Sequence, residues 1–172
     1  YVTYQIGALQ AFAAAQGLKL QHVKPHGALY TMAVKNATIW DVVAEAIAAL
    51  DTRLILFVLA GTDRQNLEAI GARHGIRIAY EFFGDRAYNS DGSLVSRNEP
   101  GAVIHDGEIV AEKILKMVKE GRVVCIDGSE IILTADTICV HGDNPSALSL
   151  VQKIRETLQA SGVEIAPPET FL

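Results

Sequence analysis

Leu54-Ile55-Leu56-Phe57-Val58-Leu59-Ala60 is an unbroken apolar run. A strand with one wet face alternates apolar and polar residues, so a run without alternation predicts a strand covered on both faces, as in a parallel sheet flanked by helices. The flanks agree with that reading. Upstream, a helix is expected from Thr38, with Asp41 at capping-box spacing and Ile39, Val42, Val43, Ala46, Ile47 and Leu50 toward the core. Downstream, Thr62 and Gln65 open a further helix ending near Gly75, and Ile76 to Phe83 predicts the next strand.

Farther out the same alternation continues. Leu18 to Val23 reads as a short strand running into Lys24-Pro25-His26-Gly27, and Tyr1 to Gln16 as a helix with Val2, Ile6, Leu9 and Ala13 on one face, stopped at Gly17. Gly84 to Ile104 has no period; Asp91-Gly92 and Pro100-Gly101 mark turns, and its length predicts a functional segment or a lid. Asp106 to Glu120 is helical, with Ile109, Val110, Ile114, Met117 and Val118 at core spacing, and Val123 to Ala135 predicts a hairpin turning at Asp127-Gly128. Thr137 to His141 is a further strand. Asn144-Pro145 opens the last helix, which turns Leu148, Val151, Ile154 and Leu158 inward and ends at Gly162, ahead of a Pro167-Pro168 tail expected to be mobile.

Strand followed by helix, repeated, predicts an α/β fold with a parallel sheet and right-handed crossovers. Four strands are too few to close a barrel, and the leading helix implies a strand before it. The economical expectation is a single α/β domain over residues 1–172 that forms the later part of a (β/α) barrel, its first strands lying upstream of Tyr1; an open doubly wound sheet is the alternative.

Composition narrows the function. Hydrophobic residues at 49% and charged residues at 20% are ordinary for a globular domain, and a net charge of −5 without a basic patch argues against nucleic acid. No stretch approaches the roughly 18 apolar residues of a membrane span. Cys125 and Cys139 sit in apolar strand-like runs and read as free thiols, which predicts a reducing cytoplasm. There is no phosphate-loop motif, dinucleotide fingerprint, zinc spacing or nucleophile elbow.

In parallel α/β folds, ligand sites gather at the C-terminal ends of strands. Those ends carry Lys24 and His26; then Gly61, Thr62 and Asp63; then Glu81, Asp85 and Arg86; then His141, Gly142 and Asp143. Residues two apart in a strand point the same way, pairing Lys24 with His26 and His141 with Asp143. A His beside a carboxylate can be an oriented base, or both can ligate a metal. The plainer alternative is that Asp143 caps the last helix and His26 binds a loop carbonyl. Asp85 and Arg86 could be a surface ion pair, Asp63 a first-turn helix acid, and His22, His74 and His105 structural or solvated.

Three ordered stretches carry a family resemblance. Lys24-Pro25-His26-Gly27-Ala28-Leu29-Tyr30 resembles the K-P-H-G-A-L-Y signature of the LamB/YcsF family. Glu81-Phe82-Phe83-Gly84-Asp85-Arg86-Ala87-Tyr88, with Asp91 to Arg97 and Pro100-Gly101-Ala102, is similar to its central loop, and Ala135 to Pro145 to its closing motif. The family's first third, with its own Asp- and His-containing motifs, has no counterpart here. The resemblance implies the A-subunit of 5-oxoprolinase, which with two partner subunits couples ATP cleavage, with magnesium as its expected companion, to hydrolysis of 5-oxo-L-proline to L-glutamate. It also implies a barrel of the glycoside hydrolase and deacetylase type.

A stabilised lactam needs its carboxylate bound, its activated oxygen stabilised and a water positioned. Lys24 or Arg86, with Asp85, are the expected substrate-binding groups; His26, His141 and Asp143 are expected to do base work or hold a metal, with Glu81 supporting. Whether a metal is bound is left open. Partner-dependence and a homo-oligomer are both compatible with the sequence. The rival readings are a metal-dependent deacetylase-like amidohydrolase that needs no ATP, and a non-catalytic substrate-binding subunit.

Overall fold

Every residue from Leu54 to Leu59 is buried, and Ile55–Leu59 forms strand β2. A computed structural model describes residues 1–142 and 147–172. In chain order the elements are α1 (Val2–Ala15), β1 (His22–Val23), α2 (Ala28–Lys35), α3 (Ala37–Ala48), β2, α4 (Arg64–His74), β3 (Arg77–Phe83), α5 (Gly107–Glu120), β4 (Arg122–Val124), β5 (Glu130–Ile132), β6 (Thr137–Cys139) and α6 (Ala147–Ala160), with a 3-10 turn at Pro168–Thr170 in the tail. The chain divides into two compact units, residues 1–58 and 62–79 with Leu172, and residues 59–61 with 80–171.

In the first unit β1 pairs in parallel with β2, His22 opposite Ile55 and Val23 opposite Leu56, and the start of β3 lies on the other side of β2. Ile55, Phe57 and Ala79 cluster on one face, and His22 stacks on Phe57 with ring centroids 4.2 Å apart. β1 is shorter than expected: Leu18 is exposed, and ahead of the paired residues the Gln21 carbonyl accepts from the Ile55 amide.

Helix phase and helix caps depart from expectation. Asn36, not Thr38, caps α3, its side chain accepting from the Thr38 amide. The buried face is Trp40, Val43, Ala44 and Ile47, while Val42 is 58% exposed. Trp40 is fully buried and packs edge-on against Tyr30, so the largest apolar side chain chooses the phase among two that the spacing permits. α2, which the sequence reading left unassigned, buries Tyr30 and Ala33. Asp63 caps α4 by accepting from the Asn66 amide, and Gly75 closes that helix in the left-handed region at φ 68°. Asp41 of α3 binds Arg73 and His74 of α4, each at 2.8 Å. α1 buries only Ile6, leaving Leu9 exposed.

In the second unit the end of β3 pairs in parallel with β6, placing Glu81 opposite Thr137, Phe82 opposite Ile138 and Phe83 opposite Cys139. The expected hairpin is present as the antiparallel pair β4–β5. Asp106 caps α5 by accepting from two amides, and Gly121 ends it. Val110, Ala111, Ile114 and Met117 face inward, whereas Ile109 and Val118 are exposed. α6 packs on α5 and turns in Leu150, Ile154 and Leu158, but not Leu148 or Val151. The Asn144-Pro145 start expected for that helix lies outside the described residues.

The segment 84–104 is packed rather than a loose lid. Ala87, Tyr88, Val95 and Ala102 are buried, and isolated antiparallel bridges join Arg86 to Val103 and Tyr88 to Leu94. Gly61 meets Gly92 backbone to backbone, where a Cβ on Gly61 would stand 1.9 Å from the Gly92 carbonyl oxygen. Contacts of main chain on main chain leave no side-chain period to read.

Candidate functional site

Past Phe83 the chain turns sharply, and the turn is pinned by its backbone. The Gly84 amide donates to the Cys139 carbonyl at 3.1 Å, and the Ile104 amide donates to the Asp85 carbonyl at 2.9 Å. A Cβ on Gly84 would come within 2.5 Å of the Ile114 side chain, so glycine lets the turn lie against α5 without displacing Ile114. The turn buries Asp85 to 3% exposure.

Asp85 meets His141. Nδ1 of His141 lies 2.8 Å from one carboxylate oxygen and 3.1 Å from the other, and the His141 amide donates to the first at 3.2 Å. Burial works to raise the Asp85 pKa, but the His141 hydrogen bonds and charge outweigh it, and the carboxyl lies below its usual range. An ionised carboxylate at Nδ1 fixes the tautomer with Nδ1 protonated, leaving Nε2 as the basic nitrogen. The His141 side chain is 16% exposed, and the Phe83 ring flanks it at 5.4 Å.

His141 is thus held by the Asp85 carboxylate, a partner that the sequence reading did not pair with it. Register explains it: Phe83 faces Cys139 across the parallel pair, so residues two further along each strand come together. Asp143, the expected partner, lies outside the described residues.

The other expected groups sort by burial. Asp85 and Arg86 are both buried, so neither belongs to a surface ion pair. Arg86 Nε donates to the Ala102 carbonyl at 3.1 Å and its Nη2 to the Val95 carbonyl, so the guanidinium braces the long segment; burial lowers its pKa. Glu81 is 2% exposed within β3, and its carbonyl accepts from the Ala60 amide. In the first unit Lys24, Pro25 and His26 follow β1, with His26 exposed and Lys24 Nζ 5.9 Å from the Tyr30 ring centroid. His22 and His74 are structural, by stacking on Phe57 and by the 2.8 Å contact with Asp41, and His105 is exposed.

Lys113 is the residue that the sequence reading missed. It stands on α5 between Val110, Ile114 and Met117 of the buried face. Its Nζ donates to the Arg86 carbonyl and sits 5.1 Å from the ring centroids of both Phe82 and Tyr88. Burial pulls its pKa down to about 8, against the opposing pull of Asp85. A lysine in the apolar stripe of an amphipathic helix was the available signal.

Both cysteines are free thiols. Among the described residues no group of three or more His, Cys, Asp or Glu is placed to hold a metal ion, and no helix is long and apolar enough to cross a membrane.

The model of the LamB/YcsF family matches residues 1–172. The 5-oxoprolinase A-subunit of Thermococcus onnurineus (strain NA1) is 49% identical over 172 residues, covering 100% of this chain and 66% of that protein. The 5-oxoprolinase A-subunit of Alkaliphilus metalliredigens (strain QYMF) is 47% identical over the same spans, 100% and 66%. The crystal structure of the lactam utilization protein from Thermus thermophilus superimposes with a TM-score of 0.84 at 44% identity, covering 95% of this chain and 64% of that one. The α/β fold expected for the later part of a (β/α) barrel is shared with that structure. The chain spans about two thirds of its relatives' length, 66%. With the family model matched from end to end, this chain belongs to the LamB/YcsF family.

Proposed function

We propose that this chain acts in an ATP-dependent 5-oxoprolinase that opens the lactam of 5-oxo-L-proline to L-glutamate, in a reducing cytoplasm and together with two partner subunits. The relatives' names support the substrate class. The observation that carries the reading is the Asp85–His141 pair, a buried carboxylate holding an imidazole just past the paired ends of two parallel strands. Asp85 keeps the imidazole oriented and its Nδ1 protonated. Nε2 takes a proton from water as that water attacks the ring carbonyl, then returns it to the ring nitrogen as the C–N bond breaks. Lys24 is the proposed cation for the substrate carboxylate, and His26 a polar group that orients it. ATP, with magnesium, would supply activation of the lactam oxygen when bound, the partner subunits completing its site.

The test is reconstitution. ATP-dependent glutamate release is expected only when the intact protein is mixed with its partner subunits, and His141→Ala should lower it by about 10²–10⁴-fold. Robust release by the protein alone, or release without ATP, overturns the assignment.

A further inference from the structure

We propose that the outward face of the β4–β5 hairpin, with the cleft beside it, is where a partner subunit docks, setting an apolar segment on the hairpin and an acidic side chain in the cleft. The inference rests on the reading of this chain as part of a multi-subunit 5-oxoprolinase. Register fixes which side chains share a face. Arg122 stands opposite Ile132 and Val124 opposite Glu130, while Val123 and Ile131 pair on the other side. Val123, Cys125 and Leu133 are buried on the inner face. Val124 and Ile126 are exposed, and Ile132 is 83% exposed.

A hairpin with one wet face alternates apolar and polar residues. This one is apolar on both faces, since Val124, Ile126 and Ile132 point outward where polar side chains belong. The same pattern in β2 goes with burial on both sides, whereas here the outer side is open. Among the described residues β5 has a strand beside it on one edge only. An apolar face next to an open strand edge is the kind of surface on which another chain settles.

Charge selects the occupant. The face runs into a cleft of about 410 Å³, which Val124 and Ile126 line together with Ile104 and Ile109. Its wall also carries Lys113, Lys116 and Arg122 against one carboxylate, Glu112. Lys116 and Arg122 share a single partner, Glu130, which is not part of that wall. A lysine has three donors and an arginine five, so one carboxylate leaves both with donors to offer. Asp127, at the hairpin turn, is held by the Ser129 amide and hydroxyl. An incoming carboxylate therefore meets cations, although the chain as a whole has a net charge of −5. A second copy fits less well, because a two-fold contact sets the same patch on both subunits and brings these cations together.

The test is assembly of the intact protein with its two partner subunits, read by sedimentation without substrate. Ile132→Asp should weaken association by at least about 10-fold, and Ile132→Leu should assemble like the wild type. Arg122→Glu should also weaken it, by a factor that shrinks in high salt as the charges are screened. The lone Ile132→Asp protein should melt within about 2 °C of the wild type, as expected for a change on an open face. A wild type that assembles, with Ile132→Asp and Arg122→Glu assembling equally well, overturns this inference and leaves the 5-oxoprolinase reading standing. A wild type that binds neither subunit overturns both. Loss of fold in Ile132→Asp assigns the face to the interior of the intact protein, and self-association of the lone protein that Ile132→Asp abolishes assigns it to a second copy; each overturns the inference.

Discussion

Past β1 the chain presents Lys24 and His26; past β3 and β6 it presents Asp85, Arg86 and His141. By sequence the two regions look alike, each a strand end rich in ionisable groups. In the structure His26 is exposed, while Asp85 is 3% exposed and held to His141 by three contacts. A solvated group can change partners freely and contributes little to folding. A buried, paired group has its orientation fixed before any ligand arrives, and the fold depends on it.

The largest expected effect is on stability at the second region. Asp85→Ala leaves His141 and its backbone amide without their acceptor and should destabilise the protein by about 3 kcal/mol. His26→Ala should stay within about 0.5 kcal/mol, as surface changes do. Urea unfolding of both variants checks this. Equal losses would erase the distinction between the two strand ends.

How far the sequence announces this arrangement depends on the kind of interaction. β2 is legible because seven consecutive apolar residues have no other economical use, and the hairpin because Asp127-Gly128 supplies a turn with Gly128 at positive φ. The motif residues at strand ends are legible as a set. Helix phase is not: α3 and α6 each allow two apolar stripes, and the choice is made by neighbours such as Tyr30 against Trp40. The partner of His141 is hidden for a similar reason. Spacing within one strand points to Asp143, and only the register of β3 on β6 brings in Asp85 from far along the chain. The segment 84–104 is opaque because main-chain bonds and the Gly61–Gly92 contact order it, and neither has a hydrophobic period.

Acid should separate the regions by a smaller margin. The folded-state pKa of Asp85 lies below its unfolded value, so the stability it contributes is fully present above roughly pH 4 and is lost as pH falls through the folded pKa. Other carboxylates, such as Asp51 with its pKa lowered to about 2 chiefly by Arg53, add to the same slope. The contribution of Asp85 is the difference between wild type and Asp85→Asn. Below pH 4 the wild type should lose stability faster than Asp85→Asn, and His26→Asn should track the wild type there. Chemical denaturation from about pH 5 to 2 measures all three curves. Parallel wild-type and Asp85→Asn curves would mean that the carboxylate gains nothing from His141.

The smallest expected effect concerns Lys24, which sharpens the contrast because a buried counterpart exists. Lys113 Nζ lies 5.1 Å from two stacked rings and donates to a carbonyl, whereas Lys24 Nζ lies 5.9 Å from the single ring of Tyr30. That distance is near the outer edge at which a ring attracts a cation, and such contacts at solvated sites contribute about 0.5–1 kcal/mol at most. Lys24→Met keeps the aliphatic stem against Tyr30 and removes the ammonium, so the stability loss should stay below that of Asp85→Ala. Its functional effect should be of a different kind. If Lys24 binds the substrate carboxylate equally in the ground and transition states, Lys24→Met raises KM by about 10-fold and leaves kcat unchanged. Denaturant unfolding and steady-state kinetics of the reconstituted assembly read the two quantities separately. A fall in kcat with KM unchanged would move Lys24 from binding to the chemical step, and a stability loss as large as that of Asp85→Ala would place it with the groups the fold depends on.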